Sequence, residues 1–202
     1  MSSLHLKDFV NGYSLEVVPN SAAKIESFAE ILPKQTRVYV AHLEKENIET
    51  MVKTAKRLSD EGFTVMPHIP ARIVKDKATL SDWISMYQNE AGVTEALLLA
   101  GGSAKPVGDY DSSIQLIESG LFDKAGFKRL HIAGHPEGSK DIDPDGGFKN
   151  VSKALSWKQE YSNRTDASMA IATQFCFDAD IVRTWANKIK EDGIDIPIHI
   201  GV

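Results

Sequence analysis

The chain has 202 residues, 42% hydrophobic and 25% charged, with a formal net charge of -5. That composition suits an ordinary globular protein with one sizeable core. No stretch is dense in Lys and Arg, which argues against nucleic acid or an anionic membrane as the main partner. No run approaches the roughly 20 apolar residues that span a bilayer. The single cysteine, Cys176, leaves no intrachain disulfide and suits a reducing compartment. Residues 1–10 lack the apolar core of a signal peptide, so a cytoplasmic location is expected.

Short apolar runs alternate with helix-length segments along the chain. The first run, 14–18, reads Ser14-Leu15-Glu16-Val17-Val18 and precedes a predicted helix over 22–31 with Ile25, Phe28, Ala29 and Leu32 on one stripe. A strand over 37–41 leads to a helix over 47–60, striped by Ile48, Met51, Val52, Ala55 and Leu58. Strands follow at 64–68, 96–100, 129–133, 169–174 and 197–201, with helices over 80–90, 112–121, 149–161 and 181–190. Gly62, Gly92 and Gly193 fall where three of these helices should stop. The runs are rich in Val, Ile, Leu and Ala and read as lacking period-two alternation, which suits parallel strands covered on both faces.

Such βαβ alternation predicts a parallel α/β fold in one domain, residues 1–202. Seven strands fall short of an eight-stranded barrel, which usually needs roughly 250 residues. The expectation is therefore an incomplete (β/α)8 barrel of the TIM type, its eighth strand and last helices missing. An open doubly wound sheet is the alternative, but no GxGxxG follows the first strand to make it a dinucleotide fold.

The strand ends carry the candidate chemistry. Glu16 interrupts an apolar strand, where a carboxylate is costly to bury without a partner or a role. An apolar wall would raise its pKa and make it a proton donor near neutral pH; pairing with a cation across the sheet is the bland reading. His68 stands between Pro67 and Pro70, offering its imidazole to the mouth or packing against a neighbour strand. Gly101 and Gly102 let backbone approach a ligand, or simply make a tight turn. His135 and Glu137 lack a third ligand of matching spacing for a metal, so no metal is expected and a cofactor-contacting loop is preferred. Gln174 and Phe175 could bind a flat heterocycle by amide hydrogen bonds and stacking, while Asp178 caps the next helix. Cys176 has no adjacent activating group and reads as buried and inert.

These segments resemble the methylenetetrahydrofolate reductase family, a flavin-binding (β/α)8 barrel. Leu15-Glu16-Val17-Val18-Pro19 is similar to the family's first-strand motif, and Pro67-His68-Ile69 to its third-strand motif. His135-Pro136-Glu137-Gly138 resembles its flavin-contacting loop. Thr173-Gln174-Phe175-Cys176-Phe177-Asp178 matches its sixth-strand motif closely, and Pro197-Ile198-His199-Ile200-Gly201-Val202 looks like strand seven. The resemblance implies Glu16 as general acid and Gln174 with Phe175 at the folate. It implies His68, Gly101, Gly102, His135, Glu137 and Lys158 at FAD. The implied reaction is reduction of methylenetetrahydrofolate to methyltetrahydrofolate, with NADH or NADPH as reductant.

The fourth strand departs from the family. It ends Leu99-Ala100-Gly101-Gly102, where the family has Leu-Arg-Gly-Asp. A flavin-free enzyme binding folate or pterin, linked to methyl transfer or demethylation, is one alternative this opens. An inactive truncated barrel that self-associates through open edges is another. The natural enzyme is expected to be longer than this chain.

Overall fold

The computed structural model describes residues 10–202, so most of the leader-free reading of residues 1–10 lies outside it. Seven strands form where seven were expected: β1 (Ser14–Val17), β2 (Arg37–Val40), β3 (Thr64–Pro70), β4 (Glu95–Leu99), β5 (Arg129–Gly134), β6 (Ser168–Thr173) and β7 (Ile198–His199). All pair in parallel, and their order in the sheet is their order in the chain.

The (β/α)8 barrel does not form. The sheet is an open, curled half-barrel, Rossmann-like in its succession of βαβ units but without the strand-order reversal that makes a switch point. Among the described residues, its end strands, β1 and β7, each pair with one neighbour. Seven strands with a terminal pair of only two residues, Ile198 and His199, do not carry the sheet round to meet β1.

The strands also alternate, contrary to the expectation of two covered faces. Val38, Val40, Leu130 and Ile132 are wholly buried in the main core, beneath the helices. The residues between them, Arg37, Tyr39, Arg129 and His131, face the other way. Right-handed crossovers between consecutive strands bring the helices to one face. The concave face carries only a small apolar cluster of Tyr39, Met66 and Leu97, backed by Leu99 and Ala172.

The helices are α1 (Pro19–Ala22), α2 (Ile48–Asp60), α3 (Lys77–Ala91), α4 (Ser113–Glu118), α5 (Leu121–Lys124), α6 (Lys149–Ser162) and α7 (Ala179–Glu191). Side chains start three of them: Asn47 accepts from Thr50 N, Asp76 from Thr79 N, and Asp178 from the N–H groups of Asp180 and Ile181. Gly92 ends α3 in the left-handed region at φ 61°.

The helix expected over 22–31 is absent. The segment makes a single turn, α1, and a short 3-10 turn, Phe28–Glu30. Its backbone finds partners on α2 instead. Arg57 donates to the carbonyls of Ala22, Ile25 and Glu26, and Glu61 accepts from Phe28 N at 2.6 Å and Ala29 N at 3.2 Å. A backbone satisfied from outside needs no helical ladder.

Among the described residues, no helix is long and apolar enough to cross a membrane.

Candidate functional site

Parallel pairing puts residues in register on the same face, so the concave surface can be read strand by strand. At the N-terminal ends, Glu95 of β4 sits between two guanidiniums. Arg37 Nε lies 2.6 Å from Glu95 Oε2, and Arg129 Nε lies 3.7 Å from Oε1. One step along, Glu16 is in register with Tyr39, and His131 with Leu97. His68 is also in register with Leu97, and further still come Leu99, Ala133, Ala172 and His199.

A cavity of about 460 Å³ opens on this face, bordered by β1 on one side and β7 on the other. That is within the usual size of a small-molecule site. Its floor is apolar and low, built from Leu97, Leu99, Ala133 and Ala172. Four residues singled out from the sequence, Glu16, His68, Gln174 and Phe175, line it together. They come from segments far apart in the chain.

Glu16 is not the buried carboxylate that its sequence context suggested. Its side chain is 59% exposed, and Oε2 lies 3.3 Å from His68 Nε2. Contact with His68 holds the Glu16 carboxyl below the usual carboxylate range, outweighing the desolvation that would raise it. Glu16 is therefore ionised at neutral pH in the free protein.

His68 lies within β3, which continues through Pro70 rather than turning at His68. Pro67 is in register with Val40 and Pro70 with Leu99, so both prolines lie within the sheet, with His68 opposite Leu97. Gln174 follows β6, its backbone N–H donating to Gly134 O at 3.0 Å. Phe175 meets Phe177 edge-on at 4.3 Å between ring centroids, and Phe177 is almost fully exposed.

Two residues not singled out from the sequence complete the polar part of the lining. Tyr39 and His199 line the cavity, and the wholly buried His131 joins them from below. Tyr39 Oη lies 2.6 Å from His131 Nδ1, and the rings of His131 and His199 stand 4.9 Å apart. Burial, with His199 and the Arg37 and Arg129 guanidiniums, lowers the His131 pKa to about 3. Burial raises that of Tyr39 to about 12. Both are neutral at any pH the fold is expected to meet. The signal available in sequence was the alternation Arg37-Val38-Tyr39-Val40 and Arg129-Leu130-His131-Ile132, polar residues on every second position.

The remaining sequence candidates lie elsewhere. Gly101 and Gly102 follow β4 outside the lining of the cavity. Gly101 has φ 96°, and an added Cβ would stand 2.9 Å from Pro70 Cβ, so this glycine serves close packing of the turn on β3. His135 and Lys158 share a separate pocket of about 30 Å³ beneath α6. Burial lowers the Lys158 pKa to about 8 and also lowers that of His135, which faces the Lys158 charge. Glu137 is exposed on the following loop. Nearby, Arg72 ties the loops after β4 and β5 together, donating to Asp111 at 2.7 Å, Asp141 at 2.9 Å and the Ser103 carbonyl at 3.1 Å.

Among the described residues, no group of three or more His, Cys, Asp or Glu is placed to hold a metal ion. Among the described residues, no lysine or arginine lines the 460 Å³ cavity.

No family model matches the sequence. Among solved structures, the chain is similar to a metagenomic short-chain oxidoreductase in complex with NADP, at 13% identity and a TM-score of 0.38, covering 95% of this chain and 97% of that one. It is similar to the citrate synthase SbnG at 10% identity and a TM-score of 0.37, covering 99% of this chain and 91% of that one. Likeness at this level carries no argument about activity.

Proposed function

We propose that the concave cavity is the active site of a flavin-dependent reductase acting on a reduced folate, with NADH or NADPH as the electron source. One observation carries the reading. Glu16, His68, Gln174 and Phe175, which the family resemblance assigns to the acid, the flavin and the folate, line the same cavity although they lie on β1, β3 and the loop after β6.

The residues present fit a flavin ring. The apolar lining of Ala133, Ala172, Leu97 and Leu99 suits a planar ring, and the His68 imidazole stands at the same cavity, 3.3 Å from Glu16. When bound, flavin supplies hydride storage between two substrates that take turns at one face. Phe175 offers a ring edge or face to a pterin, and the Gln174 amide offers both a donor and an acceptor to its edge. Glu16 delivers a proton to the substrate nitrogen as the adjacent carbon–nitrogen bond opens. In the free protein it is ionised, so this role depends on the ligand. A substrate filling the cavity excludes water from a carboxylate now 59% exposed, and that desolvation raises its proton affinity.

A second reading is favoured by the absence, among the described residues, of any lysine or arginine lining the cavity, which leaves a dinucleotide diphosphate without a guanidinium or ammonium partner among them. It is a folate or pterin enzyme that works without flavin. The absorption spectrum of protein purified and then mixed with FAD decides between them. A bound yellow chromophore bleached by NADH or NADPH supports the reductase, and protein that stays colourless overturns it. In the reductase, Glu16→Gln should keep flavin bleaching by the nicotinamide and abolish folate turnover.

A further inference from the structure

The pairing of Tyr39 with His131 is unexplained by the roles given above. Tyr39 reaches the cavity; His131 is wholly buried beneath it and lines nothing. Their contact, Tyr39 Oη to His131 Nδ1 at 2.6 Å, is the only hydrogen bond that His131 makes with its ring among the described residues. Its other nitrogen, Nε2, is buried without a partner.

A neutral imidazole holds one ring proton, and its position decides what Tyr39 can do. If that proton sat on Nε2, Tyr39 would donate to Nδ1 and a buried N–H would be left bare. If it sits on Nδ1, His131 donates to Tyr39 Oη and only a lone pair is left bare at Nε2. Orphaned buried N–H groups are the rarer of the two defects in proteins. The Nδ1–H form therefore prevails. With its oxygen already accepting from His131, the Tyr39 hydroxyl proton is free to point elsewhere, toward the cavity or the neighbouring Ser14, which lines the same cavity.

We infer that Tyr39 is a hydrogen-bond donor to the ligand of this cavity, and that His131 is the positioning residue that turns the Tyr39 proton outward. The ligand class that suits such a donor, above an apolar floor, is a planar heteroaromatic ring with a carbonyl or ring nitrogen at its edge. Flavins and pterins both qualify, so the inference deepens the reading of the cavity as a reductase site and rests on it for the identity of the ligand, though not for the geometry.

Two measurements test it. The first needs no ligand. Long-range proton–nitrogen NMR correlations on 15N-histidine-labelled protein, with the His131 signal assigned by its loss in His131→Gln, should show the Nδ1–H tautomer at pH 7. An Nε2–H tautomer overturns the inference, because the Tyr39 proton is then consumed by His131. The second measures flavin mononucleotide binding by fluorescence quenching in the wild type and in Tyr39→Phe, which removes one oxygen and keeps the ring. Affinity about tenfold weaker is expected for one lost hydrogen bond, with histidine NMR dispersion otherwise retained; equal affinity overturns the donor role. Wild-type protein that binds no flavin counts against the reductase reading, while the tautomer still decides the role of His131.

Discussion

Glu16 Oε2 and His68 Nε2 stand 3.3 Å apart across the strand that separates them, joining β1 to β3 over the top of β2. The contact has a measurable pH signature. The Glu16 pKa is depressed below its ordinary 4.5, with contact to His68 the largest cause. A depressed carboxylate stabilises the fold above its unfolded-state pKa and loses that contribution as pH falls through the folded-state value. In a carboxyl-carbon NMR titration, Glu16 should titrate below 4.5 in the wild type and move upward in His68→Ala. The same substitution should shrink the loss of stability on acidification below pH 4.5.

Lys158 should behave in the opposite sense. Its folded-state pKa is lowered by burial to about 8 from 10.5, so the charged form is disfavoured in the folded protein. The penalty is fully present below the folded-state value and lifts as pH rises from about 8 toward 10.5. Lys158→Met keeps the length of the side chain without the charge. It is expected to raise stability by up to about 3 kcal/mol at pH 7, a gain that chemical denaturation should find largely gone by pH 10.5.

Removing Glu95 leaves Arg37 and Arg129 facing one another with no carboxylate between them. Breaking a mostly buried ion pair from one side costs about 3 kcal/mol. Urea unfolding of Glu95→Gln should show a midpoint lowered accordingly. A midpoint within error of the wild type would mean that the cluster contributes nothing to the fold.

Arg57 should matter well beyond its own helix. It donates to three carbonyls of the segment after β1 and pairs with Glu61 at 3.0 Å, the residue that accepts from Phe28 N and Ala29 N. Arg57→Ala should cost about 2 kcal/mol, in line with charge-assisted hydrogen bonds. Hydrogen exchange should accelerate at Phe28 and Ala29 while the amides of β4 and β5 stay protected.

The strands were legible because their outward faces are uniformly apolar. Val38, Val40, Leu98, Leu130 and Ile132 would stand out in any reading of this chain. The inward face was not legible to the same degree. Tyr39, His131 and His199 are single polar residues inside apolar runs, and reading the runs as covered on both sides hid their period of two. Convergence of Glu16, His68 and Gln174 on one cavity was anticipated from their positions at strand ends, whereas the charge state of Glu16 depended on a partner two strands away. The helix expected over 22–31 failed for a similar reason. Its apolar stripe is real, but Arg57 and Glu61 on α2 supply the hydrogen bonds that a helix would have made internally. Closure of the barrel could not be read at all from local pattern, because it depends on whether the two end strands meet.

Because each strand pairs with the one before it in the chain, no part of the sheet waits on a distant segment to arrive. Every βαβ unit can add to its predecessor as it emerges, and loop-closure entropy stays small at each step. Contacts such as the Arg37–Glu95 pair, bridging β2 to β4, and the Tyr39–His131 bond, bridging β2 to β5, require several units to be in place first. Assembly of the sheet should thus precede completion of the cavity floor, making the ligand site one of the last features to acquire its final form.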